Sequence, residues 1–143
     1  MHITDNFSLE EFTRTTTGLP NEPNSEAIEY IIQIAHILQK VRDEYGQPIN
    51  VTSGYRSKEV NKAVGGAKNS DHLYGAAADI TCTRMDIVWE ILCRYCASKK
   101  IQLRQLIWEY GTQYSPSWIH LSINNKHNKT KNNEMLFIGV KKI

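Results

Sequence analysis

Apolar positions recur every three to four residues from about 25 to 45. Ile28, Ile31, Ile32, Ala35, Leu38 and Val41, with Arg42 beside them, predict one long amphipathic helix. Ser25 or Asn24 opens it, and Gly46 followed by Pro48 ends it. A shorter helix is expected over residues 5–12, starting near Ser8 with Glu10 and Glu11 in its first turn. The threonine-, glycine- and proline-containing stretch 13–24 reads as a surface loop.

After Pro48 the period changes. Residues 48–52 alternate apolar and polar, as a half-buried strand does. Residues 57–64 suit a short helix capped by Ser57 and stopped by Gly65 and Gly66. The small, apolar run 76–82 predicts a buried strand. The segment up to about 99 predicts a helix burying Ile87, Ile91, Leu92 and Tyr95. Strands are expected over 103–109, 118–123 and 136–140, with a solvated, lysine-containing loop at 124–133. Short turns between the late strands favour antiparallel pairing. The expected fold is α+β, a compact single domain over residues 1–143, with its N-terminal helices packed on a central antiparallel sheet.

Composition narrows the function. A net charge of +2 is too weak to argue for nucleic acid. No apolar run approaches membrane-spanning length, so no membrane insertion is expected. The N-terminal residues MHITDNFSLEEF carry acids and no apolar core, unlike a signal peptide. Cys82, Cys93 and Cys96 are odd in number and lack a second C-x-x-C pair. They are read as packing residues.

The chemistry concentrates in SGYRSKEVNKAVGGAKNSDHLYGAAAD, residues 53–79. Gly75 and the alanines after it suggest a turn feeding a strand, so His72 comes from a loop and Asp79 from the strand. His120 lies in the alternating WIHLSI, where Ile119 and Leu121 point to one face and Trp118, His120 and Ser122 to the other. Two histidines and a carboxylate form a normal ligand set for catalytic zinc, leaving a fourth place for water. Ligand counting alone leaves open ordinary hydrogen-bonded roles for all three.

Ser70, His72, Gly75, Ala77 and Asp79 match S-x-H-x-x-G-x-A-x-D at every fixed position. SGYRS precedes this motif, and QLIWE and then W-x-H follow it. Together these resemble the M15 peptidases, the zinc D-Ala-D-Ala carboxypeptidases and L-alanyl-D-glutamate endopeptidases. The resemblance runs from FSLEEF to the last histidine of the W-x-H strand. It implies a hedgehog/DD-peptidase-like fold, Zn2+ held by His72, Asp79 and His120, and Arg56 beside the metal, where it would hold a substrate carbonyl or carboxylate.

One position departs from the pattern. Many members carry an acid three residues before the last histidine, and here that residue is Ser117. Glu109, at the end of a strand that pairs with the His120 strand, is the substitute general base. Asp71, expected to turn outward, is second. Tyr55, Tyr74, Trp108 and Trp118 are candidates for a substrate groove, while His2 and His127 have no supporting context. The expected activity is hydrolysis of a peptide bond in peptidoglycan stem peptides by a monomer, as a phage or prophage endolysin. Such a protein would be made in the cytoplasm and reach the wall after membrane lesions, or as part of a phage particle. The alternative is a zinc-binding recognition or virion module without turnover.

Overall fold

The computed structural model describes all 143 residues. The Ser8 backbone N–H donates to Glu11 Oε2 at 2.7 Å and starts α1 (Leu9–Thr13). The long helix α2 (Ser25–Tyr45) is capped by Asn24, whose side chain accepts from the Ala27 N–H at 2.8 Å. Its buried face is Ala27, Ile31, Ile34, Ala35, Leu38 and Val41. Ile28 and Ile32 flank this stripe instead of leading it. Each fully buried isoleucine or leucine contributes about 1.5–3 kcal/mol of burial free energy.

The rest follows as β1 (Asn50–Ser53), α3 (Lys58–Ala63), a 3-10 turn (Asp71–Tyr74), β2 (Ala77–Thr81), α4 (Met85–Ala97), β3 (Gln105–Glu109), β4 (Trp118–Ser122) and β5 (Glu134–Ile138). The strands make one sheet ordered β1-β2-β4-β3-β5. The first three pairings in that order are antiparallel, but β5 lies parallel to β3. The sheet is therefore mixed, not wholly antiparallel. The connection from β4 to β5 is long enough to carry the chain past β3 to the edge, where only a parallel direction is left. The last strand also starts earlier than its apolar run suggests, at Glu134.

One sheet face carries Ala78, Ile80, Leu106, Ile119 and Leu121 into the core with α2 and α4. In α4 the buried set is Met85, Val88, Ile91, Leu92 and Tyr95. Ile87 is 38% exposed, contrary to expectation, because the stripe that meets the sheet is centred on Val88. Alternation along the strands then directs Asp79, Glu109, Trp118 and His120 to the opposite face.

Candidate metal centre

Two strand positions are fixed by register. Asp79 on β2 lies directly opposite His120 on β4, which in turn lies opposite Ile107 on β3. His120 Nδ1 is 2.9 Å from Asp79 Oδ1. β1 borders β2 on its other side, and its pairing is interrupted by a bulge between Val51 and Ser53. Bulges re-aim a strand, and this one releases the chain into the loop that supplies Arg56.

His72 reaches the same place from the 3-10 turn. The Ser70 hydroxyl accepts from the His72 backbone N–H at 3.2 Å and caps the turn. Gly75 closes it at φ 75°, where a Cβ would lie 2.5 Å from the Ala27 carbonyl oxygen, so only glycine fits. The residue is 3% exposed. Its Nδ1 is 2.7 Å from the Gly54 carbonyl oxygen, which can only accept. Nδ1 therefore carries the proton and Nε2 keeps its lone pair, 3.4 Å from Asp79 Oδ2. The Arg56 N–H also donates to the His72 carbonyl at 2.9 Å, so the SGYR segment grips this residue at ring and backbone.

His72, Asp79 and His120 each offer one donor atom, all within 4.8 Å of one another. The two imidazole rings are 5.1 Å apart at 67°. Burial opposes ionisation of Asp79, but His72 and His120 outweigh it and hold the carboxyl well below its ordinary value. Two imidazoles, one with its tautomer fixed by a carbonyl, and an ionised carboxylate fit a single divalent ion.

The cluster opens into a cleft of about 520 Å³ with mainly polar walls. Arg56 lines it, with Nε 3.0 Å from Ser53 Oγ, Nη1 3.3 Å from Asn61 Oδ1 and Nη2 3.4 Å from Asp79 Oδ2. Burial lowers the pKa of its guanidinium, while the charges of Asp79 and Glu109 oppose that shift. Glu109 lines the same cleft. Burial raises its carboxyl pKa; His120 opposes this and Asp79 adds to it. The Trp118 Nε1–H is buried without a hydrogen-bond acceptor, yet is near enough to Glu109 to favour its charged form. Ser117 is exposed and reaches Glu109 only through its backbone N–H, 2.9 Å from the Glu109 carbonyl.

A family model described as Peptidase M15 matches residues 5–122. The chain belongs to the M15 peptidase family. A stretch of 44 residues is 52% identical to the zinc D-Ala-D-Ala carboxypeptidase of Streptomyces albus G. That match covers 30% of this chain and 17% of the Streptomyces protein.

Other expectations for this M15 chain need correction. Asp71 does not turn outward. It is buried, accepting from Arg104 Nη1 at 2.8 Å, Asn125 Nδ2 at 2.9 Å and Asn128 Nδ2 at 2.7 Å. These bonds occupy both of its oxygens, which removes it as a base. Of the four candidate groove aromatics only Trp118 lines the metal cleft, joined by Tyr110. Trp108 packs on the core side, its ring 5.3 Å from that of Trp89. His127 is exposed and outside the metal cleft, where its ring stacks on Tyr74 at 3.8 Å and Nε2 meets Glu26 at 2.5 Å. The three thiols are free and half-buried; burial pushes the Cys93 thiol up to about 11. Residue patterns gave no signal for the Asp71–Arg104 pair, because its members are 33 positions apart and lie outside the motif strand.

Proposed function

We propose that this chain is a zinc-dependent peptidase acting on the stem peptides of bacterial peptidoglycan. The observation that carries the reading is the convergence of His72, Asp79 and His120 in a cleft shared with Arg56 and Glu109, in a chain of the M15 family. His72, Asp79 and His120 would hold the ion, which when bound supplies a Lewis acid and lowers the pKa of water.

The chain's own residues account for the remaining chemistry. Arg56 holds the substrate carbonyl or a neighbouring carboxylate and offsets negative charge that grows on oxygen as water adds to carbon. Glu109, kept proton-hungry by burial, accepts the proton of the attacking water at its carboxylate. It returns that proton to the nitrogen as the C–N bond breaks, so the products are a carboxylic acid and an amine. Ser117 has no part in this transfer, since a hydroxyl is too weak a base.

Gln105, Ile107 and Glu109 all line the cleft along β3, and the ligand His120 lies opposite the middle one, Ile107. That gives room for residues on either side of the cut bond and favours an endopeptidase over removal of a terminal residue. A phage or prophage endolysin is the biological role that suits such a cut, because lysis requires breaking bonds that hold the wall together.

The test is a digest of purified peptidoglycan by zinc-loaded protein, read by mass. New amino termini within the stem, lost in His72→Ala and His120→Ala together with bound zinc, support the reading. Folded, zinc-loaded protein that releases neither new amino termini nor D-alanine overturns it. Sedimentation of that inactive protein with the wall would select a recognition module instead. Rapid clearing of phage-host cells made permeable to the protein supports the lysin role, and intact cells under those conditions oppose it.

A further inference from the structure

The cleft is lined by a second arginine, Arg104, that the proposed chemistry does not use. Arg104 lies just before β3, and its backbone N–H donates to the Ser122 carbonyl at 2.7 Å. Ser122 is two residues beyond His120 on the same sheet face, roughly 7 Å along the strand. An extended peptide lying in the cleft advances by about 3.4 Å per residue, so that distance is two residues of substrate.

The Arg104 side chain is 11% exposed and rigidly held. Nε donates to the Lys129 carbonyl at 2.8 Å, and Nη1 donates to Asp71 Oδ2 at 2.8 Å and to Gln105 Oε1 at 3.2 Å. Nη2 has no protein acceptor, and it is not among the sealed-off donors, which are Thr4 Oγ1 and Trp118 Nε1. Asp71 in turn is fixed by Asn125 and Asn128. A guanidinium clamped on two of its nitrogens, with the third not sealed off, in a residue that lines the cleft, is pre-organised to donate to an anion. Arg56 is held at the ligands themselves, with Nη2 3.4 Å from Asp79 Oδ2, which suits it to the cut bond and not to a group two residues away.

We propose that Arg104 is a specificity-determining residue that binds a free carboxylate carried by the substrate one to two residues from the cut bond. The inference takes its substrate class from the peptidase reading. Two carboxylates of a stem peptide are candidates at this distance: the α-carboxylate of a γ-linked D-glutamyl residue and the C-terminal carboxylate of D-alanine. Both present the same planar pair of oxygens to Nη2.

Calorimetric titration of the metal-free protein tests this without requiring turnover. One probe pair is L-Ala–γ-D-Glu–L-Lys and its α-carboxamide counterpart. The other is L-Lys–D-Ala–D-Ala with a free or an amidated C-terminus. The carboxylate of one pair should bind about 10- to 100-fold tighter than its amide, and the pair showing the gap identifies the source. Arg104→Gln should erase the gap, and Arg104→Lys should keep part of it. Should Arg104→Gln unfold by stranding the Asp71 charge, the Asp71→Asn/Arg104→Gln double variant is measured in its place. An unchanged gap in the variant, or no gap in either pair with the wild type, overturns the proposal. A wild type that shows the gap yet cuts nothing when zinc-loaded would overturn the peptidase reading alone.

Discussion

Gly54→Ala tests whether the main chain fixes the His72 ring. A Cβ at position 54 would lie 2.5 Å from the Phe12 carbonyl oxygen and 2.8 Å from Phe12 Cα. Carbon–carbon contacts relax at about 3.5–4.0 Å, so the two backbones must part by roughly 1 Å. Neither neighbour is a side chain that could rotate away. The Gly54 carbonyl moves with the backbone, and it accepts from His72 Nδ1 at 2.7 Å. Adding roughly 1 Å takes that contact beyond hydrogen-bond range. Loss of a partner that orients a ligand histidine typically costs about 10- to 100-fold in metal affinity, or about 1.4–2.7 kcal/mol. Overpacking adds about 1–3 kcal/mol to the stability cost. Zinc affinity is measured by competition with a chromophoric chelator, and stability by melting with and without excess zinc. The stabilisation gained from zinc should shrink by the same 1.4–2.7 kcal/mol or so. Gly18→Ala is the control. Its φ is 76° with nothing within 4 Å of a new Cβ, so it should lose about 1–2 kcal/mol of stability and no zinc affinity. A folded Gly54→Ala protein that binds zinc within about twofold of the parent would refute the idea that this carbonyl holds the ring.

Glu109→Gln should lower kcat by about 10²- to 10⁴-fold while zinc content stays at the parent level; a variant of parental activity excludes Glu109 as the base. Because burial raises the Glu109 pKa and a base must be ionised, kcat/KM should rise with pH through a limb above the ordinary carboxylate value of about 4.3, and that limb should vanish in Glu109→Gln. Asp71→Ala strands the largely buried Arg104 charge and should cost about 3–5 kcal/mol in denaturant unfolding, with a cost near zero arguing that the pair is solvated. Thiol labelling at pH 7.5 should be slow at Cys93, whose thiol is pushed up to about 11, and Cys93→Ser should retain full zinc content; loss of zinc would make the thiol a ligand.

The long helix, the strand alternation and the approach of His72 to Asp79 were legible because each depends on local periodicity or on one contiguous motif, whereas His120 was singled out through the resemblance to a family with a W-x-H strand. The choice of Glu109 over Ser117 followed from counting along adjacent strands, and the Glu109↔Trp118 pairing places that carboxylate in the cleft. The parallel edge was not legible, since nothing in residues 124–133 says which side of the sheet the chain will reach. Nor was the burial of Asp71, whose partners come from Arg104, Asn125 and Asn128, remote in sequence. Ile87 misled for a smaller reason: a helix whose apolar residues outnumber the width of its buried stripe must leave some of them on its flank.

Asp79 and His120 are 41 positions apart yet are direct cross-strand neighbours in the middle of the sheet. During synthesis, the donor set is incomplete until the segment Trp118–Ser122 has left the ribosome and zipped against Ala77–Thr81. A half-made or misregistered chain offers the ion two donors at most, and a one-residue slip of β4 would turn the imidazole into the core. In the zinc-peptidase reading, the ion would favour the correctly paired sheet, and a misregistered chain would gain no stabilisation from it.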